Sequence, residues 1–422
     1  MKGVIVITLI LTALLLVVDA YTFKGLKMLM KNIDSQFIKR VFTWLYWAIS
    51  IGMVLLLFFS FWYFNSAVES HSYKVPFTVA SIFMIYLSPK LFFILFHLIE
   101  DISFIGYWGV KKVIESSETT EIYSRSEFLV QSISRIGIGI AGLQFGAMIY
   151  GATKGRFNYQ IVKQPIEFDN LPDSFNGVKI VQLSDIHIGS FFDNHNEVEK
   201  AINKVNELNP DYILFTGDLV NNYAWELDGW EEIIGKLKAK HGKFSILGNH
   251  DYADYVQWDS ASDKAKNLDN LKQRQAKMGF RLLLNESVKL ERNGEFIELL
   301  GLENWGKGRF AKYGDLAKTM KNSVSNSFKI LMSHDPSHWD EQVLEKTDIN
   351  LALAGHTHGM QYGVKIGTFQ FSPVQFRYHR WAGLYTENKQ HLYVNRGFGY
   401  IGFAGRVGIS PEITLLELRQ KV

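Results

Sequence analysis

The sequence predicts an all-α transmembrane region of about four helices followed by an α/β domain. Four apolar stretches fall within the first 152 of the 422 residues, and most are long enough for the ~20 residues that cross a bilayer. Beyond residue 175, strand-like runs alternate with amphipathic runs, as in a domain whose helices cover a sheet. We therefore expect a transmembrane region (1–152), a linker (153–175) and a separate α/β domain (176–422). The apolar stretches are Val4–Val18, Val41–Phe64, Val75–Ile99 and Phe128–Tyr150.

The first apolar stretch admits two interpretations. It is short, follows only Lys2, and ends in VDA, which has the small residues of a signal-peptide cleavage site. We interpret it as a retained span, and a cleaved signal peptide is the alternative. Lys90 and Arg135 lie within the third and fourth stretches. Because an intramembrane cation is costly unless it is paired or reaches the interface, we expect either stretch to be kinked or displaced.

Lysine and arginine are unevenly distributed between the predicted loops. Two loops carry eight of these residues and the opposite side carries five. The positive-inside rule places the richer loops in the cytoplasm, so both termini and the domain at 176–422 are expected outside the cytoplasmic membrane. Loss of one span would reverse this orientation. The richer loops hold Lys24, Lys27, Lys31, Lys39, Arg40, Lys111, Lys112 and Arg125, and the other side holds Lys2, Lys74, Lys154, Arg156 and Lys163.

Five short motifs place Asp, Asn and His side chains at the ends of strand-like runs. Imidazole and carboxylate groups together suit Zn, Fe, Mn or Ni rather than Ca, and the chain has no Cys for a thiolate site. Alternate strand residues point the same way, so Asp185 and His187 can reach one ion. Asp218 is the natural bridge between two ions roughly 3.5–4 Å apart. The motifs are SDIHIG (184–189), TGDL (216–219), GNHD (248–251), SHDP (333–336) and GHTHG (355–359).

The five motifs, in this order, resemble those of the calcineurin-like metallophosphoesterase family over roughly residues 176–420. The resemblance implies a two-sheet β-sandwich flanked by helices, with a dinuclear metal centre. It implies that Asp185, His187, Asp218 and His358 bind the first ion, and that Asp218, Asn249, His334 and His356 bind the second. It also implies that His250 contacts the transition state and protonates the leaving group, with Asp251 orienting that imidazole.

The C-terminal run VNRGFGYIGFAGRVGISPEITLLEL resembles the closing segment of one membrane-linked branch of this family, in which a Gly-rich loop and an Arg border the metals. Arg406 is therefore our candidate for contact with a substrate phosphate or carboxylate, because a guanidinium binds such oxyanions bidentately. A surface arginine without a role is the alternative. The same branch usually reads GHTHGG, whereas Met360 occupies the second Gly position here. The loop beside the pocket is thus expected to differ in shape.

Further elements are expected within the domain at 176–422. The aromatic residues of Phe369–Leu384 are interpreted as packing the edge of the sandwich, and an apolar substrate entrance is the alternative. Late strands are expected to complete the second sheet. The expected helices are Asn194–Leu208, Trp225–Lys240 and Asn267–Met278, and the expected late strands are Phe296–Gly301, Gly363–Phe371 and Glu412–Leu418.

Together these features predict a membrane-anchored phosphoesterase with two divalent ions (Mn, Zn, Fe or Ni), in which a bridging hydroxide attacks a lipid-linked or cell-envelope phosphate ester. An alternative is an enzyme like the UDP-2,3-diacylglucosamine pyrophosphatases of lipid A synthesis, which would need a cytoplasmic active site. A non-catalytic metal-binding scaffold or sensor is the alternative of another class. A net charge of +3 without a basic-aromatic stripe gives no reason to expect a nucleic-acid partner.

Overall fold

The computed structural model describes residues 2–66, 72–113, 119–308, 310–367 and 369–421. The chain divides into two compact units. The first comprises Met1–Ser70 and Thr78–Tyr150, and the second comprises His71–Phe77 and Gly151–Val422. The second unit, called the extramembrane unit below, therefore takes in a short connector from between two of the long N-terminal helices.

The first unit consists of four long helices. Four helical segments are long and apolar enough to cross a membrane: Val6–Asn32, Gln36–Tyr63, Lys74–Gly106 and Ile133–Thr153. The first of them continues from α1 through a 3-10 turn at Met30–Asn32. These segments confirm the predicted all-α transmembrane region, although every helix extends beyond the apolar stretch that marked it. The helices are α1 (Lys2–Leu29), α2 (Gln36–Ser66), α3 (Lys74–Val113) and α4 (Thr119–Thr153).

The intramembrane cation Lys90 is paired rather than displaced. Its Nζ lies 2.5 Å from Oδ1 of the fully buried Asp19 on α1. Tyr86 donates a hydrogen bond of 2.9 Å to the same carboxylate, and Ser50 donates another. These bonds satisfy a charge pair that would otherwise be costly in hydrocarbon. Because Asp19 belongs to the VDA sequence, the pair ties the first stretch to the third and supports the retained-span interpretation.

The extramembrane unit contains two six-stranded sheets. In the first, the strand order is β1-β14-β2-β3-β4-β5. Strands β2 to β5 are parallel, β14 runs antiparallel to β2, and β1 is parallel to β14. The strands are β1 (Gln160–Phe168), β2 (Lys179–Leu183), β3 (Tyr212–Phe215), β4 (Gly242–Ser245), β5 (Phe280–Leu282) and β14 (Glu412–Gln420).

The second sheet has the order β12-β13-β9-β8-β7-β6. Its central strands β7, β8, β9 and β13 are parallel, and the edge strands β6 and β12 are antiparallel to their neighbours. The strands are β6 (Glu286–Arg292), β7 (Glu295–Gly301), β8 (Lys329–Met332), β9 (Leu351–Ala354), β12 (Gly383–Glu387) and β13 (Gln390–Val394).

Alternating side chains of the strands build the core. On β2, Ile180 packs into a cluster that includes Ile330 and Leu353 of the second sheet, whereas its neighbour Val181 packs into a cluster with helical residues such as Ile202. This period of two places one face of the first sheet against the second sheet and the other face under helices. The helices over the first sheet are α5 (His195–Glu207), α6 (Glu231–Gly235) and α7 (Ala261–Lys277). A fourth helix, α8 (Leu316–Met320), packs against the second sheet. The predicted two-sheet sandwich flanked by helices is confirmed.

Three expected segments differ from the structure. Trp225–Lys240 contains only a 3-10 turn at Ala224–Leu227 and the short α6, because the Glu226 carboxylate accepts hydrogen bonds from three preceding backbone N–H groups and fixes a turn. Gly363–Phe371 forms a separate antiparallel hairpin, β10 (Val364–Ile366) and β11 (Phe369–Phe371), outside both large sheets. The C-terminal strand β14 enters the first sheet rather than the second, and its partner β1 lies inside the expected linker.

Candidate metal centre

The candidate metal centre lies at the carboxyl ends of parallel strands from both sheets. In a parallel sheet these ends share one edge, so the loops that follow them converge. The structure brings all five motifs together there. Asp185 and His187 follow β2, Asp218 follows β3, Asn249 and His250 follow β4, His334 follows β8, and His356 and His358 follow β9.

The motif loops adopt an uncommon backbone conformation. Asp185, His187, Asp218, His356 and His358 have φ between 48° and 69°, and each costs a non-Gly residue about 1–2 kcal/mol. Hydrogen bonds between loops hold this geometry: the Asp185 N–H donates to the Gly217 carbonyl at 2.9 Å, and the His356 N–H donates to the Asp185 carboxylate at 3.0 Å. Strain of this kind clusters at functional sites, where the surrounding structure enforces it.

The first group of donor atoms comprises Asp185, His187 and His358. These three residues can offer one ligand atom each within a small sphere, and all are buried. The two Nε2 atoms of His187 and His358 lie 3.0 Å apart, and His358 Nε2 lies 3.3 Å from an Asp185 oxygen. Two imidazole nitrogens and a carboxylate that face one another fit a cation, because their lone pairs need a shared positive partner.

The second group comprises Asp218, His334 and His356, joined by the side-chain oxygen of Asn249. The Asn249 Oδ1 lies 3.1 Å from His334 Nε2 and 2.8 Å from His356 Nδ1. The other nitrogen of His334, Nδ1, lies 2.7 Å from the Thr216 carbonyl oxygen. A carbonyl only accepts, so Nδ1 carries the proton and Nε2 is free for a metal.

Asp218 lies within reach of both groups. Its Oδ2 is 3.1 Å from His334 Nε2 and 3.6 Å from His187 Nε2, so one carboxylate can serve two ions. Glycine makes this close approach possible, since a Cβ on Gly248 would overlap the Asp218 carboxylate and a Cβ on Gly355 would overlap Asp185 and Ser184. The glycines before the ligand-bearing residues are therefore required by close approach rather than by turn formation alone.

Burial sets most of the protonation states at this centre. It lowers the pKa of His187 to about 3 and that of His356 to about 4, so both imidazoles are neutral and available as ligands at pH 7. Burial alone would lower the pKa of His334, but the charges of Asp218 and Asp185 outweigh it and raise that pKa to about 10. The negative charges of Asp218 and Asp185 would thus be stabilised by a nearby positive charge, and a divalent cation can supply it.

Comparison with known proteins agrees with this geometry. Residues 2–156 match the family described as probable calcineurin-like phosphoesterase, transmembrane domain, and residues 178–360 match the calcineurin-like phosphoesterase family. The uncharacterized metallophosphoesterase YkuE of Bacillus subtilis is 30% identical over 295 residues, which cover 65% of this chain and 94% of that protein. The chain belongs to the calcineurin-like metallophosphoesterases.

Of two further relatives, one is named as a transmembrane protein and the other matches along nearly the whole chain. A transmembrane protein with metallophosphoesterase domain from Danio rerio is 30% identical over 283 residues, covering 64% of this chain and 60% of that protein. The chain therefore spans less than two thirds of that relative. An uncharacterized metallophosphoesterase of Helicobacter pylori strain 26695 is 27% identical over 418 residues, 98% of this chain and 99% of that protein. The similarity thus extends through the membrane region as well as the phosphoesterase domain.

In this metallophosphoesterase, the half-buried His250 lies beside both ligand groups. Its backbone N–H donates to Asp218 Oδ1 at 2.8 Å, and its ring meets the His187 ring edge-on with centroids 5.0 Å apart. Its Nδ1 lies 2.8 Å from the carbonyl oxygen of Asn221. Because that oxygen only accepts, Nδ1 carries a proton and Nε2 is the nitrogen left for chemistry.

The expected pairing of Asp251 with His250 is wrong. The Asp251 carboxylate accepts hydrogen bonds of 2.8–3.2 Å from the backbone N–H groups of Gly248, Asp218, Leu219 and Val220. It therefore joins the TGDL loop to the GNHD loop, and the Asn221 carbonyl orients the imidazole instead. Burial, followed by the nearby charge of Asp218, raises the pKa of Asp251 to about 7. Asp251 positions the ligand loops and does not touch the imidazole.

For Arg406, which was expected to contact substrate, the structure shows a different set of contacts. The guanidinium is 2% exposed, and it donates to the backbone carbonyls of His358, Arg396, Gly397 and Gly399 at 2.7–3.3 Å. Its donors are thus consumed by the Gly-rich loop and by the loop that carries His358. Burial lowers the pKa of Arg406 to about 9. The sequence indicates an Arg beside the centre but not that backbone carbonyls take up its donors.

Replacing Arg406 by lysine tests this positioning role. A lysine keeps the charge but cannot reach four carbonyls, so we expect a lower melting temperature and metal affinity weakened by about 10–100-fold. The KM for a phosphodiester, measured with saturating metal, should stay unchanged. A raised KM with unchanged metal affinity and melting temperature would instead support the original substrate contact.

Met360 has a left-handed backbone conformation, which glycine adopts without strain. This accounts for the glycine that related sequences carry at this position. The φ of Met360 is +55° and its side chain is 57% exposed. We expect Met360→Gly to stabilise the fold by about 0.5–1 kcal/mol, since relief of left-handed strain exceeds the added chain entropy. The melting temperature should rise by about 2 °C. Met360→Ala is the matched control, because it keeps the Cβ, and an equal rise in that variant would refute strain as the cause.

Three residues at the centre were not foreseen. The hydroxyl of Tyr378 lies 2.8 Å from His356 Nε2, and Tyr255 accepts a 2.8 Å hydrogen bond from the Asn249 amide. Each tyrosine hydroxyl thus hydrogen-bonds the atom of a proposed ligand residue that is not assigned to a metal, and so fixes the orientation of that side chain. Asn221 acts through its backbone carbonyl, which no side-chain motif encodes. Tyr378 lies in the aromatic-rich segment Phe369–Leu384, which is interpreted from sequence as packing the edge of the sandwich.

Proposed function

We propose that this chain is a dinuclear phosphoesterase that hydrolyses a phosphate ester of a lipid-linked or cell-envelope substrate. The observation that carries the proposal is the pair of ligand groups that share Asp218 at the ends of parallel strands. In the proposed assignment, Asp185, His187, Asp218 and His358 hold one ion, and Asp218, Asn249, His334 and His356 hold the other. The ions are drawn from Mn, Zn, Fe and Ni, according to the donor set.

When bound, two divalent ions polarise phosphoryl oxygens and lower the pKa of water, which supplies a nucleophile at neutral pH. The chain's own contribution begins with geometry. Asp218 fixes the spacing of the two ligand groups, and the Asp251 carboxylate holds the two loops that flank it. The substrate phosphate would therefore meet a rigid, pre-arranged surface rather than one that must reorganise.

His250 is the proposed general acid. In its imidazolium form, the Nδ1–H donates to the Asn221 carbonyl, and the Nε2–H is the proton that would be transferred to the leaving oxygen. Proton transfer from Nε2 to that oxygen releases the alcohol and leaves a neutral imidazole whose Nδ1–H is unchanged. The Asn221 loop is in turn held by Glu226, which accepts the backbone N–H groups of Asn221 and Asn222 at 2.7 and 2.8 Å.

The membrane region supports a lipid-linked substrate and an extracytoplasmic active site. The connector before α3 belongs to the extramembrane unit, where the Tyr73 hydroxyl accepts a 2.9 Å hydrogen bond from the Asn222 amide. Two crossings by α3 and α4 return the chain to that same side. The opposite side of the membrane is marked by a cavity of about 680 Å³ between α1 and α2, which is lined by basic side chains. The positive-inside rule assigns this basic side to the cytoplasm. The cations are Lys24, Lys27, Lys31, Lys39 and Arg40, and the side chains of Lys111, Lys112 and Arg125 lie outside the described residues.

A reporter fused after Val422, active in only one compartment, tests the orientation. We expect an extracytoplasmic signal. A cytoplasmic signal would refute the charge argument and favour the alternative substrate class, a nucleotide-linked lipid pyrophosphate like that of the UDP-2,3-diacylglucosamine pyrophosphatases. The full chain, reconstituted with Mn²⁺, should also hydrolyse a generic phosphodiester. Complete inactivity toward monoester, diester and pyrophosphate probes, with metals bound, would favour a scaffold or sensor.

A further inference from the structure

The segment Gly359–Arg377, called the apolar loop below, leaves the metal centre and returns to it. It begins directly after His358 and ends directly before Tyr378, whose hydroxyl lies 2.8 Å from His356 Nε2. Near its base, the Ser372 hydroxyl donates to the Gly359 carbonyl at 2.8 Å, and the Thr357 hydroxyl donates to the Trp381 carbonyl at 2.8 Å. Whatever the apolar loop binds is therefore brought next to the proposed second-ion ligands.

The apolar loop exposes one face of large hydrophobic side chains. In its hairpin, Ile366 is paired with Phe369 and Val364 with Phe371, so these residues share a face. Val364 is 44% exposed, Ile366 72%, Phe369 62% and, just beyond the hairpin, Phe376 80%. A two-stranded hairpin is marginally stable alone in water. A contiguous exposed apolar patch of this kind marks an interaction surface.

The charge pattern of this region identifies the partner. Residues 359–386 contain no Asp or Glu, but they include Lys365, Arg377 and Arg380. Arg380 is paired with Asp340 and Glu387. Lys365, on the opposite face of the hairpin, and Arg377, next to Phe376 in the chain, are exposed. Aromatic and aliphatic side chains next to basic residues, without acidic ones, are typical of segments that lie in the headgroup zone of a bilayer.

A short segment connects the extramembrane unit to the last candidate span. The helix α4 ends at Thr153 and β1 begins at Gln160, so only residues 154–159 separate the last candidate span from the first sheet. A tether this short holds the extramembrane unit at a high effective concentration near the membrane surface. A modest apolar face is then sufficient for stable docking.

We propose that the apolar loop inserts the face formed by Val364, Ile366, Phe369 and Phe376 into the bilayer interface. This docking holds the metal centre at the level of phospholipid headgroups, where it can take a phosphate ester that remains in the membrane. The inference rests on the proposed function for its substrate class. The insertion itself is testable without any hydrolysis.

The first experiment uses the absence of Cys from the chain. Ile366→Cys and Phe376→Cys, made separately in the full chain, are labelled with an environment-sensitive fluorophore and reconstituted into phosphatidylcholine–phosphatidylglycerol vesicles. The matched control is Glu291→Cys, at an exposed position on β6. Lipid-borne quenchers should reduce fluorescence at 366 and 376 severalfold more than at 291, and aqueous iodide should show the reverse order.

Equal quenching at positions 366 and 291 by both agents would overturn the proposal. Protection from iodide without quenching from the lipid, if reversed by diluting the protein in the membrane, would assign the face to a second copy and also overturn it. Failure of the proposed function gives a different pattern. In that case position 366 still reports insertion, but the unlabelled protein hydrolyses no phosphate ester.

The second experiment links insertion to turnover. Replacing Ile366, Phe369 and Phe376 together by serine should lower the ratio of hydrolysis of a vesicle-borne phosphodiester to hydrolysis of a water-soluble one by about tenfold or more. Serine at Val324, an exposed apolar residue outside the apolar loop, is the control. An unchanged ratio in the triple variant, in protein shown to be folded by its melting curve, would contradict delivery of substrate by the membrane.

Discussion

Replacing Asp218 by alanine should abolish metal binding and phosphoesterase activity together. Its Oδ2 lies 3.1 Å from His334 Nε2 and 3.6 Å from His187 Nε2, so both ligand groups lose their shared carboxylate. The charges of His334 and His250 outweigh burial and hold the pKa of Asp218 well below its usual value, so it is ionised at neutral pH. Loss of several kcal/mol of transition-state stabilisation corresponds to at least about 10³-fold in kcat/KM.

Elemental analysis of the purified full-length variant, alongside its activity on a phosphodiester, measures both effects. Asp169→Ala is the matched control, because that carboxylate lies on the surface and pairs with Lys389 and Lys421. The control should retain both metal and turnover. If the Asp218 variant keeps a full metal complement, Asp218 is not the bridge and the assignment of ligands to two ions is incorrect.

Replacing His250 by alanine should also reduce turnover, but, unlike Asp218→Ala, it should leave the metals bound. His250 contacts the ligand groups through its backbone N–H, which alanine keeps, and through the edge of its ring, so removing the imidazole should leave metal content unchanged. A general acid contributes typically about 10²–10⁴-fold. We expect a loss of this size in kcat for an ester with a poor leaving group, with KM changed little.

Leaving-group dependence distinguishes general acid catalysis from a structural role. With a nitrophenolate leaving group, which needs little protonation, the loss in His250→Ala should be much smaller than with an alkyl alcohol. His241→Ala, at an exposed position away from the centre, is the control. An equal loss with both leaving groups would show that His250 positions the substrate or the ions and does not supply the proton.

Much of the centre could be anticipated because its residues lie in contiguous motifs at strand ends. Parallel strands deliver Asp185, Asp218 and His356 to one edge, and the pattern of strands and motifs contains that information. The proposed ligand roles of these residues remain predictions. The division between a four-helix membrane region and a two-sheet domain was likewise visible in hydropathy and in the alternation of segments, and the structure confirms it.

Other features depend on contacts that the local sequence does not encode. Asp251 was expected to orient His250 because the two are adjacent, but adjacent side chains point in different directions, and this one turns to backbone N–H groups of another loop. Arg406 was expected to face the substrate, but distant carbonyls of the Gly-rich loop take its donors. The segment that forms the hairpin β10–β11 has strand-like composition and was expected in the second sheet. In the structure its two strands pair with each other and not with the edge strands β6 or β12 of that sheet.

The exposed apolar face of that hairpin changes the interpretation of the aromatic-rich loop Phe369–Leu384. Packing was the expected role, and it holds for Trp381, which is buried with Ala382 and Ile409. It does not hold for Phe369 and Phe376, which remain exposed. Periodicity alone cannot separate these cases, because a buried aromatic and a membrane-facing aromatic have the same composition and differ only in what covers them.

The central claim, that two metal ions share one carboxylate at the strand ends, is tested most directly by electron paramagnetic resonance of the full chain loaded with Mn²⁺. Two ions roughly 3.5–4 Å apart are magnetically coupled. We predict a coupled-pair spectrum in the wild-type protein, retained in His250→Ala and lost in Asp218→Ala. A spectrum of isolated Mn²⁺ only, with one ion per chain and full activity, would contradict the dinuclear centre.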